Sequence, residues 1–386
     1  MPKQSKKQAP VALKVRKRRA PSAKPAKEVA LAPLDKLLFK PYFKRIHLAP
    51  RIGPGATPWS VPDLCKAYNW PTGLAGGGVI AIVQPSGGWV QSDMDSYFKS
   101  IGQPVPQITD ISVDGTQNTP NQHLNNPDSD PDHEVALDIQ VAGASYFVAT
   151  GKPAVIRVYW SQSLGGAISA AANAGCDVCS ISWGADESVL GSDLVQQIED
   201  AASDAAGMGM VIFAASGDND SSDGGPTPTN VDAPASCPHV IGCGGTNKTA
   251  AGETVWNDDP GNPNGRGTGG GYSHIFPIQS WQASAPNGPG RMVPDVAANA
   301  GCVSFVHGQQ LIGTGGTSAV APIYAGLFAG FGKKLGWVTP KLWANQLCFN
   351  DIREGNNGFY RALSGPDPCI GLGSPIGTKL AVLLAR

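Results

Sequence analysis

A serine at the end of a glycine-containing turn is the first residue whose surroundings suggest chemistry. Ser318 comes shortly after Gly315 and Gly316 and precedes an apolar run that ends at Phe331. The glycines permit a tight turn, and the apolar run predicts a buried helix with Pro322 in its first turn, where the missing N–H costs nothing. Ser318 at such a helix N-terminus is either an N-cap, which is the commoner role, or a nucleophile beside free backbone amides.

Two carboxylates spaced four residues apart form the second candidate. Glu134 and Asp138 lie in the segment DHEVALDIQVAGA, which predicts a helix from Asp132 to Ala144 with both side chains on one face. Two acids on an exposed helix would need no function, but the apolar residues around them predict a buried helix. Because burying two like charges is costly and raises the pKa of at least one, the spacing favours a functional pair.

Asp218 is the third candidate. It ends the segment MVIFAASGD, whose apolar start at Met210 predicts a buried strand. A turn aspartate is the ordinary interpretation of Gly-Asp-Asn. Because Asp218 follows the carboxyl end of this strand, its side chain would instead point into a cleft at the end of a parallel sheet.

The elements that must position these residues alternate between short apolar strands and helices. Strands are predicted at Gly78–Gln84, Val155–Tyr159, Val178–Ser182 and Met210–Ala215, and helices at Asp93–Ile101, Leu164–Ala174 and Leu190–Met208. Continuous apolar runs are typical of central parallel strands. The alternation therefore predicts an α/β fold with a mostly parallel central sheet and helices on both faces.

Charge divides the 386 residues into two parts. Residues 1–50 hold 14 Lys and Arg against 2 acids, and the rest of the chain holds 15 Lys and Arg against 28 Asp and Glu. We predict a basic, mostly disordered leader over residues 1–51 and one globular domain over residues 52–386. A leader of this kind suits nucleic-acid binding or nuclear targeting, but we favour a solvated tail or linker that contacts the acidic body.

Other classes of protein find little support in the sequence. No apolar stretch has the form of a secretory signal peptide or the length of a membrane span. The eight cysteines are too sparse for a disulfide framework. Cys176 and Cys179 form the single CxxC motif, which we interpret as thiols buried beside a strand, not as a metal or redox pair.

Six ordered motifs resemble the sedolisins, or serine-carboxyl peptidases, relatives of subtilisin that carry carboxylates in place of its histidine. The motifs are DHEVALDIQVAGA, SISWG from Ser180, AASGDN from Ala214, GGGYSHIFPIQSWQ from Gly269, VPDVAANA from Val293 and GGTSAVAP from Gly315. The resemblance extends from about Pro58 to Gly377. It implies a subtilisin-like fold.

The resemblance also implies an enzyme that hydrolyses peptide bonds through an acyl-enzyme on Ser318. It assigns Glu134 as the general base, Asp138 as the acid that supports Glu134, and Asp218 as the acid of the oxyanion hole. A carboxylate base with a low pKa functions in acid, where a histidine is already protonated. Asp218 can donate to the oxyanion only while it is protonated. We therefore expect an acidic pH optimum.

An ordinary subtilisin triad is the competing interpretation within this fold, since His133 precedes Glu134. Such a triad needs an aspartate at the end of the first central strand. Gln84 and Pro85 stand there instead. We therefore disfavour a histidine triad.

By the same resemblance, two segments would line the cleft and pair with an extended substrate peptide. These are Ser182, Trp183 and Gly184, and Gly269, Gly270 and Gly271. One Ca²⁺ site is implied near the C-terminus. Its ligands would be the carboxylates of Asp351 and Asp367 and backbone carbonyls near Ile352, Leu363 and Gly365.

Several properties stay open at this point. The enzyme would act on polypeptides, either as an endopeptidase or as a tripeptidyl-peptidase, and we expect a monomer. The family is typically exported with a folded propeptide, which a leader of this length is too short to provide, so the location stays open between secretion and an acidic compartment. One hypothesis is that the basic leader binds the acidic body in its place. The alternative function is that of an idle relative that binds peptides, or nucleic acid through the leader.

Overall fold

The computed structural model describes residues 39–42, 44–45, 59–122, 131–225, 227–260 and 265–385, with the backbone alone at residues 44–45 and 311–314. The strands are β1 (Lys40–Pro41), β2 (Lys44–Arg45), β3 (Val79–Gln84), β4 (Gln107–Ser112), β5 (Val155–Trp160), β6 (Val178–Ile181), β7 (Trp183–Asp186), β8 (Val211–Ala215), β9 (Asp232–Ala233), β10 (Ile241–Lys248), β11 (Glu253–Val255), β12 (Gly271–Tyr272), β13 (Met292–Val293), β14 (Val296–Asn299), β15 (Gly301–Val306), β16 (Gln309–Gly315), β17 (Phe349–Asn350) and β18 (Ser374–Pro375). The helices are α1 (Val61–Ala67), α2 (Gln91–Ser100), α3 (Pro131–Thr150), α4 (Leu164–Asn173), α5 (Glu187–Leu190), α6 (Ser192–Gly207), α7 (Val320–Ala329), α8 (Thr339–Trp343) and α9 (Gly377–Ala385). Short 3₁₀ turns lie at Asp220–Ser222, Ser280–Gln282, Thr317–Ala319 and Gln346–Cys348.

A central sheet organises the described chain. Its strand order is β11-β10-β8-β6-β3-β5-β4, with β14 also paired to β10. Every pairing except that of β10 with β11 is parallel. The register of β3 on β5 runs from Val79 opposite Val155 to Gln84 opposite Trp160. The predicted α/β class is confirmed.

Both faces of this sheet are covered, as its apolar strands require. Ile80 and Ile82 of β3 belong to a core that they share with helices α1, α2, α3 and α7. Ala81 and Val83, which point to the opposite face, belong to a second core with helices α4 and α6. The pleat of a single strand thus separates the two layers.

Helices α3 and α7 pack closely against each other within the first core. A Cβ on Gly326 would lie 2.5 Å from the carbonyl oxygen of Ala142, so only a glycine fits this contact. Ser145 of α3 donates a hydrogen bond of 2.6 Å to the carbonyl of Ile323. Nearly all of α3 is buried, which confirms the buried helix predicted around Glu134.

The helix predicted over Leu190–Met208 is present as α6, but it begins at Ser192 because Gly191, with a φ of 79°, separates it from α5. Within the predicted leader, the described residues include β1 and β2, which pair with β7 and β16. Most of the leader lies outside the described residues.

Two further findings bear on the class of protein. All eight cysteines are buried and free, which agrees with the interpretation of Cys176 and Cys179 as buried thiols. Among the helices of the described segments, none combines the length and the apolar character that crossing a bilayer requires.

Candidate active site

Ser318 lies in the 3₁₀ turn Thr317–Ala319, between β16 and α7. It is buried, and its Oγ donates a hydrogen bond of 2.9 Å to Oε2 of Glu134. The N-cap of α7 is Ala319, which makes no side-chain capping bond. The N-cap interpretation of Ser318 is therefore wrong, and its hydroxyl is directed at a carboxylate.

Gly316 shapes the turn before the serine. Its φ is 117°, in the region that glycine adopts without the steric cost of a Cβ. A Cβ on Gly316 would collide with the carboxylate of Asp218 and with the backbone carbonyl of Tyr42. Glycine at this position thus allows both groups to approach the serine turn.

Glu134 lies in the first turn of α3 and is fully buried. Among the described residues, its Oε1 has no hydrogen-bond partner. Burial, followed by the charge of Asp138, raises the pKa of Glu134 well above its ordinary value, although the hydrogen bond from Ser318 lowers it. This agrees with the expectation that burying the pair raises the pKa of at least one of its members. When ionised, Glu134 is a stronger proton acceptor than an exposed glutamate.

Asp138 lies one turn further along α3 and is held by two donors. Ser182 Oγ donates to its Oδ1 at 2.7 Å, and Gln84 Nε2 donates to its Oδ2 at 2.7 Å. Trp183 Nε1 donates to Gln84 Oε1 at 2.6 Å, which fixes the orientation of the amide. Burial raises the pKa of Asp138, and the hydrogen bonds from Ser182 and Gln84 oppose this by favouring the charged form. These two hydrogen bonds therefore stabilise the negative charge of Asp138.

Asp218 stands just after β8, where Gly217 turns the chain with a φ of 112°. Its Oδ1 accepts hydrogen bonds from the backbone N–H of Thr317 at 2.8 Å and from Thr317 Oγ1 at 2.9 Å. The backbone N–H of Asp218 in turn donates to Asp223 Oδ1 at 3.1 Å. The structure therefore brings Asp218, Glu134 and Asp138 to the turn that carries Ser318.

One of the two predicted cleft segments pairs with an extended peptide, which belongs to the same chain. In β7, Trp183 lies opposite Pro41 and Gly184 opposite Lys40, in an antiparallel pairing with β1. The carbonyl of Ser182 accepts a hydrogen bond of 3.0 Å from the backbone N–H of Tyr42.

The other segment is engaged elsewhere. Gly269 donates its N–H to the carbonyl of Gly217 at 2.8 Å, and Gly271 pairs with Val293 between β12 and β13. A Cβ on Gly270 would collide with the carbonyl of Pro368. In the described part of the chain, this segment supports the loop of Asp218 and does not pair with β1 or β2.

Comparison with known proteins is in accord with this geometry. Residues 116–354 match the model of the subtilase family. Kumamolisin from Bacillus sp. (strain MN-32) is 41% identical over 363 residues, which cover 84% of this chain and 63% of that protein. Sedolisin from Pseudomonas sp. (strain 101) is 36% identical over 180 residues, covering 40% of this chain and 30% of that protein. The solved structure of Pseudomonas sedolisin, a serine-carboxyl proteinase complexed with two molecules of pseudo-iodotyrostatin, superposes with a TM-score of 0.74 at 26% identity and covers 86% of this chain and 98% of that one.

The chain belongs to the subtilase family, in its sedolisin branch. It spans about 63% of the length of kumamolisin. The sedolisin motifs read from the sequence therefore identify the family correctly.

The loop predicted to hold calcium in this sedolisin brings its two carboxylates near each other. Asp351 accepts the N–H of Gly365 at 3.2 Å, and Asp367 Oδ2 accepts the N–H of Leu363 at 2.8 Å. Burial, and to a lesser extent the charge of Asp351, raises the pKa of Asp367 to about 6. The backbone hydrogen bonds from Leu363, Cys369 and Ile370 act in the opposite direction and lower it. Within the described residues, no three His, Cys, Asp or Glu side chains cluster closely enough to hold a metal ion.

Sequence reasoning missed several residues of the sedolisin site. Gln84 was noted only because it is not aspartate, yet it holds Asp138. Its position at the carboxyl end of β3 was a signal that could have identified it. Thr317 and Asp223 hold Asp218, and Asp232 holds the hydroxyl of Tyr42. No signal in the sequence pointed to these contacts.

Proposed function

We propose that this protein is a serine-carboxyl peptidase that hydrolyses peptide bonds in polypeptide substrates. The observation that carries the proposal is the hydrogen bond of 2.9 Å from Ser318 Oγ to Glu134 Oε2 inside a buried site. The peptidase names of relatives such as tripeptidyl-peptidase SED1 from Arthroderma otae support this class of activity.

The hydrogen bond from Ser318 defines the path of the proton. As Ser318 Oγ attacks the carbonyl carbon of the substrate, its proton passes to Glu134. Glu134 then returns the proton to the amine that leaves, and an acyl-enzyme remains on Ser318. A water molecule repeats the sequence and releases the acid. The raised pKa of Glu134 makes it a good acceptor for a serine proton, since the ideal base is matched to the group it deprotonates.

Asp138 supports Glu134 by sharing the charge of the pair. Two close carboxyl groups titrate as one unit, and the form with a single charge spans a broad pH range. The donors Ser182 and Gln84 hold Asp138 in place. When the pair holds one charge, the form with that charge on Glu134 accepts the proton of Ser318, and the pair is then neutral. Asp138 is therefore a positioning residue and does not itself contact the substrate.

Asp218 would stabilise the oxyanion of the tetrahedral intermediate. Its Oδ1 is bound by Thr317, and its carboxyl lies beside Gly316 at the turn of Ser318. A carboxyl group donates a hydrogen bond only while protonated, and a preorganised donor at this place is worth a factor of about 100 to 1,000 in rate.

These roles require acidic conditions. The Glu134–Asp138 pair must hold one negative charge while Asp218 keeps its proton. Activity should therefore rise as the pH falls and Asp218 becomes protonated, and fall again where the pair loses its last charge. Burial raises the pKa of Glu134, so the loss of activity in acid begins at a higher pH. The pH range in which the enzyme is active is therefore narrower.

The test is cleavage of an unfolded protein between pH 2 and 8. Ser318→Ala should abolish turnover, and Asp218→Asn should lower kcat about 100-fold or more while flattening the alkaline limb. Ser374→Ala is a matched control, because Ser374 is a buried serine of β18 that donates a hydrogen bond of 2.9 Å to Oε2 of Glu253. A wild-type chain that binds but never cleaves unfolded protein would favour the idle, peptide-binding alternative.

We also propose that one Ca²⁺ ion binds the loop of Asp351 and Asp367. The donors fit in kind, because two neighbouring carboxylates and the carbonyls of Ile352, Leu363 and Gly365 are hard oxygen ligands. The raised pKa of Asp367 shows a carboxyl that a cation would stabilise in its charged form.

Calcium binding would hold the loop between α8 and α9 to the domain and would not enter the reaction. Addition of Ca²⁺ to the chelated protein should raise the Tm by several degrees, with half-saturation readable by titration calorimetry. Asp367→Asn should remove this shift. An unchanged Tm with no binding heat in the wild type would exclude the site.

A further inference from the structure

The turn that carries Ser318 lies between two elements that both contact α3, the helix of the proposed base. After the turn comes α7, where the carbonyl of Ile323 accepts a hydrogen bond of 2.6 Å from Ser145 of α3. Before the turn comes the hairpin formed by β15 and β16, and the carbonyl of Ala300 at its base accepts the N–H of Gly316 at 2.7 Å. The position of this hairpin therefore determines how the chain enters the turn of the nucleophile.

Gln140 of α3 contacts the hairpin through both ends of its amide. The side chain is fully buried, Nε2 donates to the carbonyl of Phe305 at 2.7 Å, and Oε1 accepts the N–H of Phe305 at 2.8 Å. Two hydrogen bonds to the backbone of one residue fix both the distance and the orientation of the strand. Gln140 thereby supplies the hydrogen bonds that a neighbouring strand would make at this edge of β15.

The amide of Gln140 lies on a different face of α3 from the two acids. An α-helix turns by about 100° per residue, so Gln140 lies about 200° around the helix axis from Asp138. The acids face Ser318 and Ser182, and Gln140 faces the hairpin. One helix therefore holds the base and also the strand that leads to the nucleophile.

The tip of the hairpin has a second anchor, on α2. His307 and Gly308 form its turn, with φ of 50° and 70°, and the N–H of Gly308 donates to Oδ1 of the buried Asp93 at 2.8 Å. The pairing of β15 with β16 is irregular between Cys302 and Ser304, where the register shifts. Because such a shift disrupts the ladder between two strands, the hairpin depends on its anchors to α2 and α3.

We propose that Gln140 is a positioning residue for the nucleophile, because it fixes the β15–β16 hairpin to the helix that carries the base. The proposal rests on the peptidase function proposed above and adds a residue that contacts neither substrate nor the reacting atoms. Together, Gln140 and Ser145 let α3 hold the chain on both sides of Ser318. Since a misplacement of about 1 Å can cost a factor of about 100 in rate, loss of this anchor should slow the reaction.

Gln282 offers a matched control within the same chain. It is also buried, its Nε2 donates to the carbonyl of Met292 at 2.8 Å, and its Oε1 accepts the N–H of Met292 at 3.1 Å. This is the same paired contact between a glutamine amide and the backbone of one residue. Neither residue lies on α3 or on the hairpin that precedes Ser318. Gln140→Met and Gln282→Met therefore remove equivalent hydrogen bonds at two different places.

The first experiment measures kcat and KM for an unfolded protein at acidic pH, per folded molecule, with the Tm recorded for each variant. Both Gln140→Met and Gln282→Met should lower the Tm. Gln140→Met should lower kcat at least tenfold with KM changed less than twofold, whereas Gln282→Met should change kcat less than twofold. Gln140→Glu should keep kcat within threefold of the wild type, because a protonated carboxyl group offers the same donor and acceptor as the amide.

Two results would overturn the proposal and leave the peptidase function standing. One is an equal loss of kcat in Gln140→Met and Gln282→Met, and the other is a fall of the Tm in both with kcat unchanged. If Gln140→Met does not fold, Gln140→Asn replaces it, because its amide is shorter by one methylene and cannot make both hydrogen bonds to Phe305.

A second measurement needs no turnover. The amide hydrogen of Gly316, which is bonded to Ala300, should exchange at least tenfold faster in Gln140→Met than in the wild type, and its exchange in Gln282→Met should stay within threefold. Unchanged exchange at Gly316 in Gln140→Met would overturn the proposal whatever the activity. Faster exchange in a protein whose wild type cleaves nothing would instead overturn the peptidase function and leave the link between Gln140 and the turn of Ser318.

Discussion

Two fully buried pairs of charged residues share the same spacing and differ in everything else. Glu134 and Asp138 are four residues apart and of like charge, and Arg291 and Asp295 are four residues apart and of opposite charge. Arg291 Nη2 lies 2.6 Å from Asp295 Oδ2, which also accepts the N–H of Gly242 at 2.8 Å. Trp343 Nε1 occupies the other oxygen of Asp295 at 3.0 Å.

The two pairs differ in whether a carboxylate oxygen is left without a hydrogen-bond partner. Both oxygens of Asp295 are satisfied, and opposite charges offset much of the cost of burial. In the described residues, Glu134 keeps one oxygen without a hydrogen bond and faces a second acid. Burial raises the pKa of both Glu134 and Asp295, but at Asp295 the charge of Arg291 and the hydrogen bonds from Arg291, Gly242 and Trp343 oppose the rise. The carboxylate of the structural pair has a donor on each oxygen, whereas a group that exchanges protons must keep two protonation states within reach.

The largest effect should follow from Glu134→Gln, which keeps the shape and removes the base. We expect kcat/KM for unfolded protein to fall by about 1,000-fold or more, within the range by which general bases contribute. The Tm at neutral pH should stay equal or rise, because a like-charge repulsion is removed. A parallel fall of Tm and activity would mean that Glu134 is structural, like Asp295.

The second effect concerns stability and should come from Arg291→Met. This change leaves Asp295 charged and buried without its partner, which costs about 3–5 kcal/mol. Urea unfolding followed by fluorescence would measure the loss. The double change Arg291→Met and Asp295→Leu should recover most of it, because apolar residues replace buried ion pairs well. Activity per folded molecule should stay constant throughout.

The pH dependence of stability should reflect the Glu134–Asp138 pair most strongly, because no cation opposes the rise of the pKa of its members as Arg291 does for Asp295. A carboxyl whose pKa is raised by folding binds its proton more tightly in the folded state, so its contribution is complete below the ordinary carboxyl value near pH 4 and is lost as the pH rises. Each such group changes the free energy of unfolding by at most about 1.4 kcal/mol per pH unit. The wild type should therefore be most stable in acid. Glu134→Gln should flatten the decline between pH 4 and 7, and a decline of unchanged slope would assign it to other carboxyls.

The smallest effect should come from Gln84→Met. Loss of the amide removes one of the two hydrogen bonds that lower the pKa of Asp138. The acid limb of kcat/KM should then move to higher pH by about half a unit to one unit, since one hydrogen bond is worth about 1 kcal/mol. If kcat/KM instead falls equally at every pH and the acid limb stays at the same pH, the role of Gln84 is purely steric.

Sequence reasoning succeeded where a local pattern decides the structure. The apolar run of β3 and the buried periodicity of α3 follow from neighbouring residues, and the motifs around Glu134 and Ser318 identified the family. Gly191 was a local signal for the start of α6 that went unused, because a glycine often marks the boundary of a helix.

The remaining features depend on residues that are distant in the chain. Asp138 is held by side chains that follow β3 and β6, and no pattern in one segment announces such a meeting. The position of Tyr42 between β7 and β16 depends on strand pairing across about 140 and 270 residues, which a short basic segment does not encode locally.

The close contact of α3 with α7 has a consequence for engineering. Glu134 begins one helix, Ser318 directly precedes the other, and the two helices are fixed to each other at Gly326 and through Ser145. The alignment of nucleophile and base is thus set by two helices packed rigidly against each other. A designer could therefore change segments that contact neither helix and keep the distance between nucleophile and base.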